Sequence, residues 1–514
     1  MRTKNSILNI VFGLLSQVAI VLVGLWSRKA FVNILGTEIL GINATLTSII
    51  SMLALTELGV GTAILCNLYK PLEEGDRTKV IALMQTYRKT YNTIAGVVLV
   101  LSMALLTFID KIVMPEESAV MSVSMLRFVF CLFALDMAVS YLFAYKRSLI
   151  FADQKNYLVI IIRTMFVLGT GVFQIATLYI TKDFISYLIV RIIFRFLENM
   201  VVAILTDRRY PYIKTKEKYP LEKNTKKNIV ENTKALMLHY VGNYLVNGTD
   251  MMIINGFLGS MTAGIYSNYL LLTTMIRELL LHISNGITAG FGSLIAAKEN
   301  ERLYEVFHQS MFIVFVAANT ICITAFCAFN DFLDLWLGAG QTLSTSVVFI
   351  IILNLYITLT SDPIGALRSA AGLFRPDKYL HIVLAVLNLI ISISLVNSIG
   401  IFGVFFGTFI CLCIKELSFL PYIVYKHIFQ KTLWEYQKKY LLYLLFTLIV
   451  GFFTFSVTSL IVIENLLLLL LVKGLIALVL SNGLVIIVFF KTKEFKKIKE
   501  ICEVLMRKCK DNIR

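Results

Sequence analysis

Arg28, Lys29, Arg127, Arg163, Arg191, Arg195, Arg277, Lys415 and Lys473 fall inside or at the edges of runs that are otherwise apolar. A cation near the middle of a bilayer costs about 2.5–3.5 kcal/mol on insertion scales unless it faces protein, water or an anion. Most of these charges lie in the first half of the chain, where acidic partners are few. The chemistry they suit is reception of a negatively charged group within a membrane. Arg191, Arg195 and Glu198 are spaced i, i+4, i+7 and share one helical face. They read either as a cationic stripe lining a cavity, with Glu198 orienting Arg195, or as an intra-helix ion pair that holds packing. One Glu cannot neutralise two Arg, which favours the cavity. Arg28 lies eight residues before Gly36, roughly 12 Å down the helix. Lys29 points elsewhere and is close enough to the interface to snorkel, so Arg28 is the preferred binder. A guanidinium grips phosphate oxygens bidentately, which suits a diphosphate.

Arg127 and Arg277 are expected as further members of the cavity. Arg163 is expected to snorkel, and Lys415 and Lys473 are cavity candidates with no assigned role. His239, Asn243, Asn247 and Asp250 form a polar stripe on one helix, which must face water or another polar surface. Asp250 could bind a coupling cation or proton, bond sugar hydroxyls, or pair with an Arg. Glu57 invites the same three choices.

The elements that must position these groups are membrane helices. The 514 residues are 58% hydrophobic with only 7 prolines, and the mean hydropathy is +0.79. A span needs about 20 apolar residues. The pattern predicts an all-α polytopic membrane protein with about fourteen spans, at 7–34, 42–65, 91–110, 119–145, 157–180, 184–206, 236–257, 262–290, 307–330, 344–367, 379–397, 401–424, 439–463 and 465–490. The first run reads as a retained helix rather than a signal peptide. The net charge of +16 sits mostly on one side, because the opposite connections hold only Lys111 and Lys182. That bias predicts both termini in the cytoplasm, with attraction to anionic membrane lipids and no nucleic-acid partner. The eight cysteines lie in spans or on the basic side, so no structural disulfide is expected.

Two copies of one plan are visible. Leu35-Gly36-Thr37 with Gly41-Ile42 recurs as Leu258-Gly259-Ser260 with Gly264-Ile265, 223 residues on. Arg147-Ser148 with Asp153 to Leu158 is echoed by Arg368-Ser369 with Arg375 to Leu380. Six spans precede the second copy, so the copies are parallel, with a substrate cavity expected between two six-helix lobes. The expected domains are an N-terminal lobe at 1–206, a cytoplasmic linker at 207–235, a C-terminal lobe at 236–424, two extra spans at 425–490 and a basic tail at 491–514. Catalytic constellations are missing. The five histidines show no metal spacing, no phosphate-binding glycine loop is present, and no cofactor is called for.

Ser27-Arg28 to Phe31, Ile34 to Glu38, Leu40 to Asn43, Glu57 to Ile64 and Leu68 to Leu72 together resemble the N-terminal block of bacterial Wzx-type polysaccharide flippases, within the multidrug/oligosaccharidyl-lipid/polysaccharide superfamily. Asp250 to Ile254, Leu258-Gly259 and Gly264 to Tyr269 look like the matching second-half block. The resemblance implies a transporter, not an enzyme, that moves an undecaprenyl-diphosphate-linked oligosaccharide across the cytoplasmic membrane for surface polysaccharide. Arg28, Arg191 and Arg195 would meet the diphosphate. Asn43, Asn247, Tyr266 and Asn268 would meet sugar hydroxyls, and Asp250 or Glu57 would couple a proton or sodium ion. Polysaccharide-assembly proteins are further partners it implies, and in related lipid II flippases the last two spans form a groove for the lipid tail. Two rivals stand beside this reading. A multidrug/cation antiporter of the same fold is disfavoured because an Arg-rich cavity repels organic cations. A polytopic polymerase or glycosyltransferase is disfavoured because the outside connections are short.

Overall fold

The structure, a computed structural model, describes residues 2–54, 60–113, 121–222, 225–227, 229–231, 233, 244, 248–373, 379–497 and 499–500. Among them there is no strand. The chain divides into two compact units, Met1–Ser267 and Asn268–Arg514.

In the first unit, the long apolar α1 (Arg2–Leu35) stops at Gly36, whose φ of 88° is open to glycine. The chain then turns into α2 (Thr37–Leu53). After α3 (Val60–Glu74), Asp76 caps α4 (Arg77–Leu105), taking hydrogen bonds from Thr78 Oγ1 at 2.6 Å and Lys79 N at 3.0 Å. Hydrogen bonding, Thr78 foremost, holds the Asp76 carboxyl below the usual carboxylate range. The short α5 (Ile109–Val113) leads to α6 (Val123–Leu142), α7 (Ala144–Ala152), α8 (Asn156–Thr181) and α9 (Phe184–Arg209). Asp183 caps α9 through the backbone N–H of Ser186 at 2.7 Å. α1 runs along α8, where Thr164 Oγ1 donates to Ser16 Oγ at 2.7 Å.

The border between units lies inside α10 (Asp250–Ala296), which kinks at Gly259. Its first part belongs to the first unit because Asn255 Nδ2 donates to the Val113 carbonyl at 2.7 Å and Ser260 Oγ to the same oxygen at 3.3 Å. The repeat seen in the sequence becomes a physical contact here. Gly36 and Gly259 adopt matching dihedrals, φ/ψ 88°/166° and 84°/164°. A Cβ on Gly41 would overlap the Ser260 carbonyl, and one on Gly264 would overlap the Thr37 carbonyl. Residues 37 and 41 are the repeat equivalents of 260 and 264. The two overlaps are therefore one contact made twice, as a two-fold axis requires. Without a hydrophobic drive between helices in lipid, small residues that let backbones approach are what hold such a crossing.

In the second unit, α11 (Asn300–Leu337), α12 (Thr345–Thr360), α13 (Asp362–Ala370), α14 (Leu380–Ile399) and α15 (Ile401–Leu412) lead to two widened turns, Cys413–Phe419 and Tyr425–Phe429, around α16 (Leu420–Val424). The last two helices, α17 (Leu433–Ser459) and α18 (Leu466–Phe489), pack on α11. Phe315 stacks on Tyr443 at 4.2 Å, with Phe312 and Phe489 edge-on around them. α7 and α13, the helices that carry Arg147 and Arg368, are both nine residues long.

Nine helices among the described residues are long and apolar enough to cross a membrane, against the fourteen expected. The difference has local causes. The second expected span is divided between α2 and α3, α9 carries too many charges to count as purely apolar, and half of the seventh lies outside the described residues. The protein is an all-α, multi-pass membrane protein. Gly41→Ala and Gly264→Ala should each lower the thermal midpoint in detergent, at a cost of about 1–3 kcal/mol for overpacking against backbone. Gly96→Ala, in α4 with no atom near its Cβ position, should hold the midpoint or raise it slightly.

Candidate functional site

α9 presents Tyr187, Arg191, Arg195, Glu198 and Asn199 toward α6, α7 and α8. At the centre is Asp136 of α6, only 5% exposed. Its two oxygens lie 3.2 Å from Arg191 Nε and 3.1 Å from Arg195 Nε. Arg191 also sits 4.4 Å over the ring of Phe133, one turn before Asp136 on α6. From α7, Arg147 reaches Glu198 at 2.7 Å and the Asn199 side-chain oxygen at 3.4 Å. Of these groups, Arg147, Arg195, Glu198 and Asn199 line a recess of about 470 Å³, together with Tyr91 and Arg163. The local balance is cationic: Arg147, Arg163, Arg191 and Arg195 stand against Asp136 and Glu198. One carboxylate within ion-pair distance of two guanidiniums leaves net positive charge beside the recess, and Arg195, which lines it, can present that charge to an anion.

The structure therefore corrects the expected partner of Glu198. It does not orient Arg195 on its own helix but holds Arg147 across the gap, and Asp136 takes both arginines. Arg163, exposed, lines the same recess. Arg28 of α1 donates to Ser267 Oγ at 3.2 Å and to the Ser267 carbonyl at 3.1 Å. Tyr187 stands close enough to act electrostatically on both Arg28 and Arg191. It also packs edge-on against Phe31, three residues after Arg28, at 5.1 Å. Lys29 is exposed.

Other expected members lie elsewhere. Arg127 is exposed and pairs with Asp110 at 3.3 Å, near the turn that α5 makes, so it is not brought to the recess. Arg277, also exposed, lies in the second unit near Asp362, whose carboxylate accepts from Ser284 at 2.7 Å. Lys473 is drawn 2.7 Å from Asp331 and pins α18 to α11, while Lys415 pairs with its neighbour Glu416 at 2.9 Å. Both are thus structural pairs rather than cavity cations. Asn43 is half-buried, with its Oδ1 unpartnered among the described residues. Tyr266 and Asn268 are buried, and Asn268 has both amide atoms unpartnered among the described residues. Asp250 is buried at the start of α10, close enough to Tyr266 to act on it electrostatically. Asn247 and Glu57 lie outside the described residues.

Asp136 and Arg147 escaped sequence reading. Asp136 is a single acid in an apolar run, and mid-span cations elsewhere in the chain were the signal that it must have a partner. Arg147 sits at a span end, where a cation is ordinarily read as topology.

The second unit offers a contrasting surface. Between α11, α12 and α17, a narrow groove is lined by Cys322, Phe326, Phe349, Tyr356, Gly451 and Phe452, almost without polar atoms.

No protein-family model matches the chain, and no curated protein does. Solved structures do. A lipid II flippase, MurJ, in an inward closed conformation superposes with a TM-score of 0.65 at 14% identity, over 93% of this chain and 99% of that one. An inward-facing multidrug-resistance MATE family transporter of the MOP superfamily gives 0.59 at 13%, over 79% and 94%. A Vibrio cholerae MATE transporter gives 0.54 at 14%, over 84% and 99%. The chain thus has the helical fold shared by these membrane proteins.

Asp136→Ala should leave the largely buried Arg191 without its carboxylate and lower stability by about 3 kcal/mol, read as a drop in thermal midpoint in detergent. Arg127→Ala, which opens an exposed pair, should leave the midpoint within measurement error.

Proposed function

We propose that this protein is a flippase that carries a lipid-linked oligosaccharide diphosphate, of the undecaprenyl type, from the inner to the outer leaflet of a bacterial cytoplasmic membrane by alternating access. The observation that carries the reading is the cationic recess lined by Arg147, Arg163 and Arg195, with Arg195 sharing the buried Asp136 with Arg191. A diphosphate supplies the negative charge that these groups lack, and guanidiniums bind it in fixed geometry. The apolar groove of the second unit suits a polyprenyl chain that stays in contact with lipid while the head crosses. The resemblance in sequence and the shared fold with a lipid II flippase support the same substrate class.

Arg28, beside Tyr187, and the α9 stripe would neutralise the head, with Asn43 meeting sugar hydroxyls. Asp250 is the described candidate for coupling to a proton or sodium ion, with Glu57 as the other. The basic connections would face the cytoplasm, next to anionic lipid and the proteins of polysaccharide assembly. A multidrug/cation antiporter shares the fold, but its substrates would be repelled by this recess.

Purified protein in liposomes bearing a fluorescent lipid-linked diphosphate oligosaccharide tests the proposal. Arg28→Ala and Arg191→Ala should each slow translocation about ten- to a hundredfold, the scale of one lost charge-assisted hydrogen bond, with Lys at either site restoring part. Full activity of the double Ala variant, or export of organic cations in place of the lipid, would overturn it.

A further inference from the structure

A second basic recess opens in the first unit, apart from the arginine recess, on the side that carries most of the Lys and Arg. It holds about 480 Å³ between α4, α7, the end of α9 and the segment that follows it. Arg88, Lys146, Lys214 and Lys216 face it, against the single carboxylate of Asp207. Lys146 lies 2.8 Å from Asp207 and Lys214 lies 4.0 Å away, so that acid is already engaged. Arg88 and Lys216 have no carboxylate within ion-pair distance among the described residues and are both exposed.

The wall made by residues 213–216 is held in place by contacts on either side of it, one of them from the recess wall itself. Gln85 on α4 donates its side-chain amide to the Glu217 carbonyl at 2.6 Å and accepts the Tyr219 N–H at 3.2 Å. Arg77 lies 5.6 Å over the ring of Tyr212, Tyr210 donates to Asp153, and Lys79 pairs with Glu222 at 3.4 Å. The segment is thus strapped along α4, and its lysines converge with Arg88 and Lys146 on one hollow. Like charges gathered without counter-charges repel, so the arrangement calls for an anion to fill it.

The structure assigns this recess as a binding site for a phosphate anion, a phosphodiester headgroup or a free phosphate, that clamps the segment after α9 onto α4 and α7. Arg88 supplies the planar donor set suited to phosphate oxygens, and the lysines supply point charges. The site does not rest on the transport reading. Its neighbour on α7 gives it a consequence all the same. Lys146 faces this recess while Arg147 holds Glu198 in the other, so a ligand that fixes α7 stiffens both.

The test uses the full chain in nanodiscs of phosphatidylcholine alone or of an equal mixture with phosphatidylglycerol, read by hydrogen exchange of residues 212–219. Slower exchange with phosphatidylglycerol identifies a lipid headgroup. Slower exchange in phosphatidylcholine on adding inorganic phosphate or pyrophosphate identifies a soluble anion. Arg88→Gln and Lys216→Gln should each weaken the effect roughly fivefold, as expected for one interfacial cation. Lys214→Gln serves as a second lysine variant. Lys89→Gln with Lys218→Gln, exposed neighbours outside the recess, should leave the effect unchanged. No protection by either anion source, protection that survives the Arg88→Gln/Lys216→Gln pair, or equal loss in the Lys89→Gln/Lys218→Gln control would overturn the assignment.

Discussion

The first unit depends on keeping guanidinium charge inside a membrane protein without leaving it bare. Asp136 does this by lying between Arg191 and Arg195, one turn apart on α9, and touching both. A buried pair of this kind returns little net stability, because each ion loses hydration, yet breaking it is costly. It therefore fixes geometry more than it adds strength. The rotation of α9 about its axis and its register against α6 follow from it. Once α9 is so turned, Glu198 and Asn199 point at α7, where Arg147 meets them. The recess is what remains among α4, α6, α7, α8 and α9 after these pairings.

A second constraint acts on the backbone. The crossing of α2 with the start of α10 closes carbonyl against glycine, twice, through residues that the repeat makes equivalent. Polar side chains play no part in the overlap itself, and Thr37 and Ser260 contribute main-chain oxygens. A contact built from backbone shape tolerates almost no change at Gly41 and Gly264, and considerable change around them. That explains why the short glycine motif is the clearest repeat signal while the intervening residues have diverged.

Much of the fold was legible from hydropathy. The limits of α6, α8, α9, α14, α17 and α18 fall close to the expected spans, because each is bounded by turn residues or charges that end an apolar run. The arginine stripe was legible from helical period. Its partners were not, since which acid meets which Arg depends on which helices are neighbours. Arg127 and Arg191 look alike along the chain, yet one lies beside the turn that carries Asp110 and the other faces a neighbouring helix. Lys473 likewise looked free until α18 was set against Asp331. Tyr266 and Asn268 were polar residues in a span, and period alone does not separate a core position from a cavity wall.

The two units have departed from their common plan in a consistent direction. The sixth span, α9, carries two arginines that need an acid from another helix. The corresponding twelfth, Ile401–Phe429, buries Thr408, Cys411 and Leu412 and holds one adjacent Lys415–Glu416 pair that neutralises itself. Arg147 has its counterpart in Arg368, but Arg368 is buried and donates its Nε to the carbonyl of Leu373, within its own turn, at 3.1 Å. The arginine stripe of α9 thus has no counterpart in Ile401–Phe429, and the second unit exposes an apolar groove on other helices. Under the proposed function, the two surfaces would receive the two ends of one amphiphile, the recess its anionic head and the groove its apolar chain.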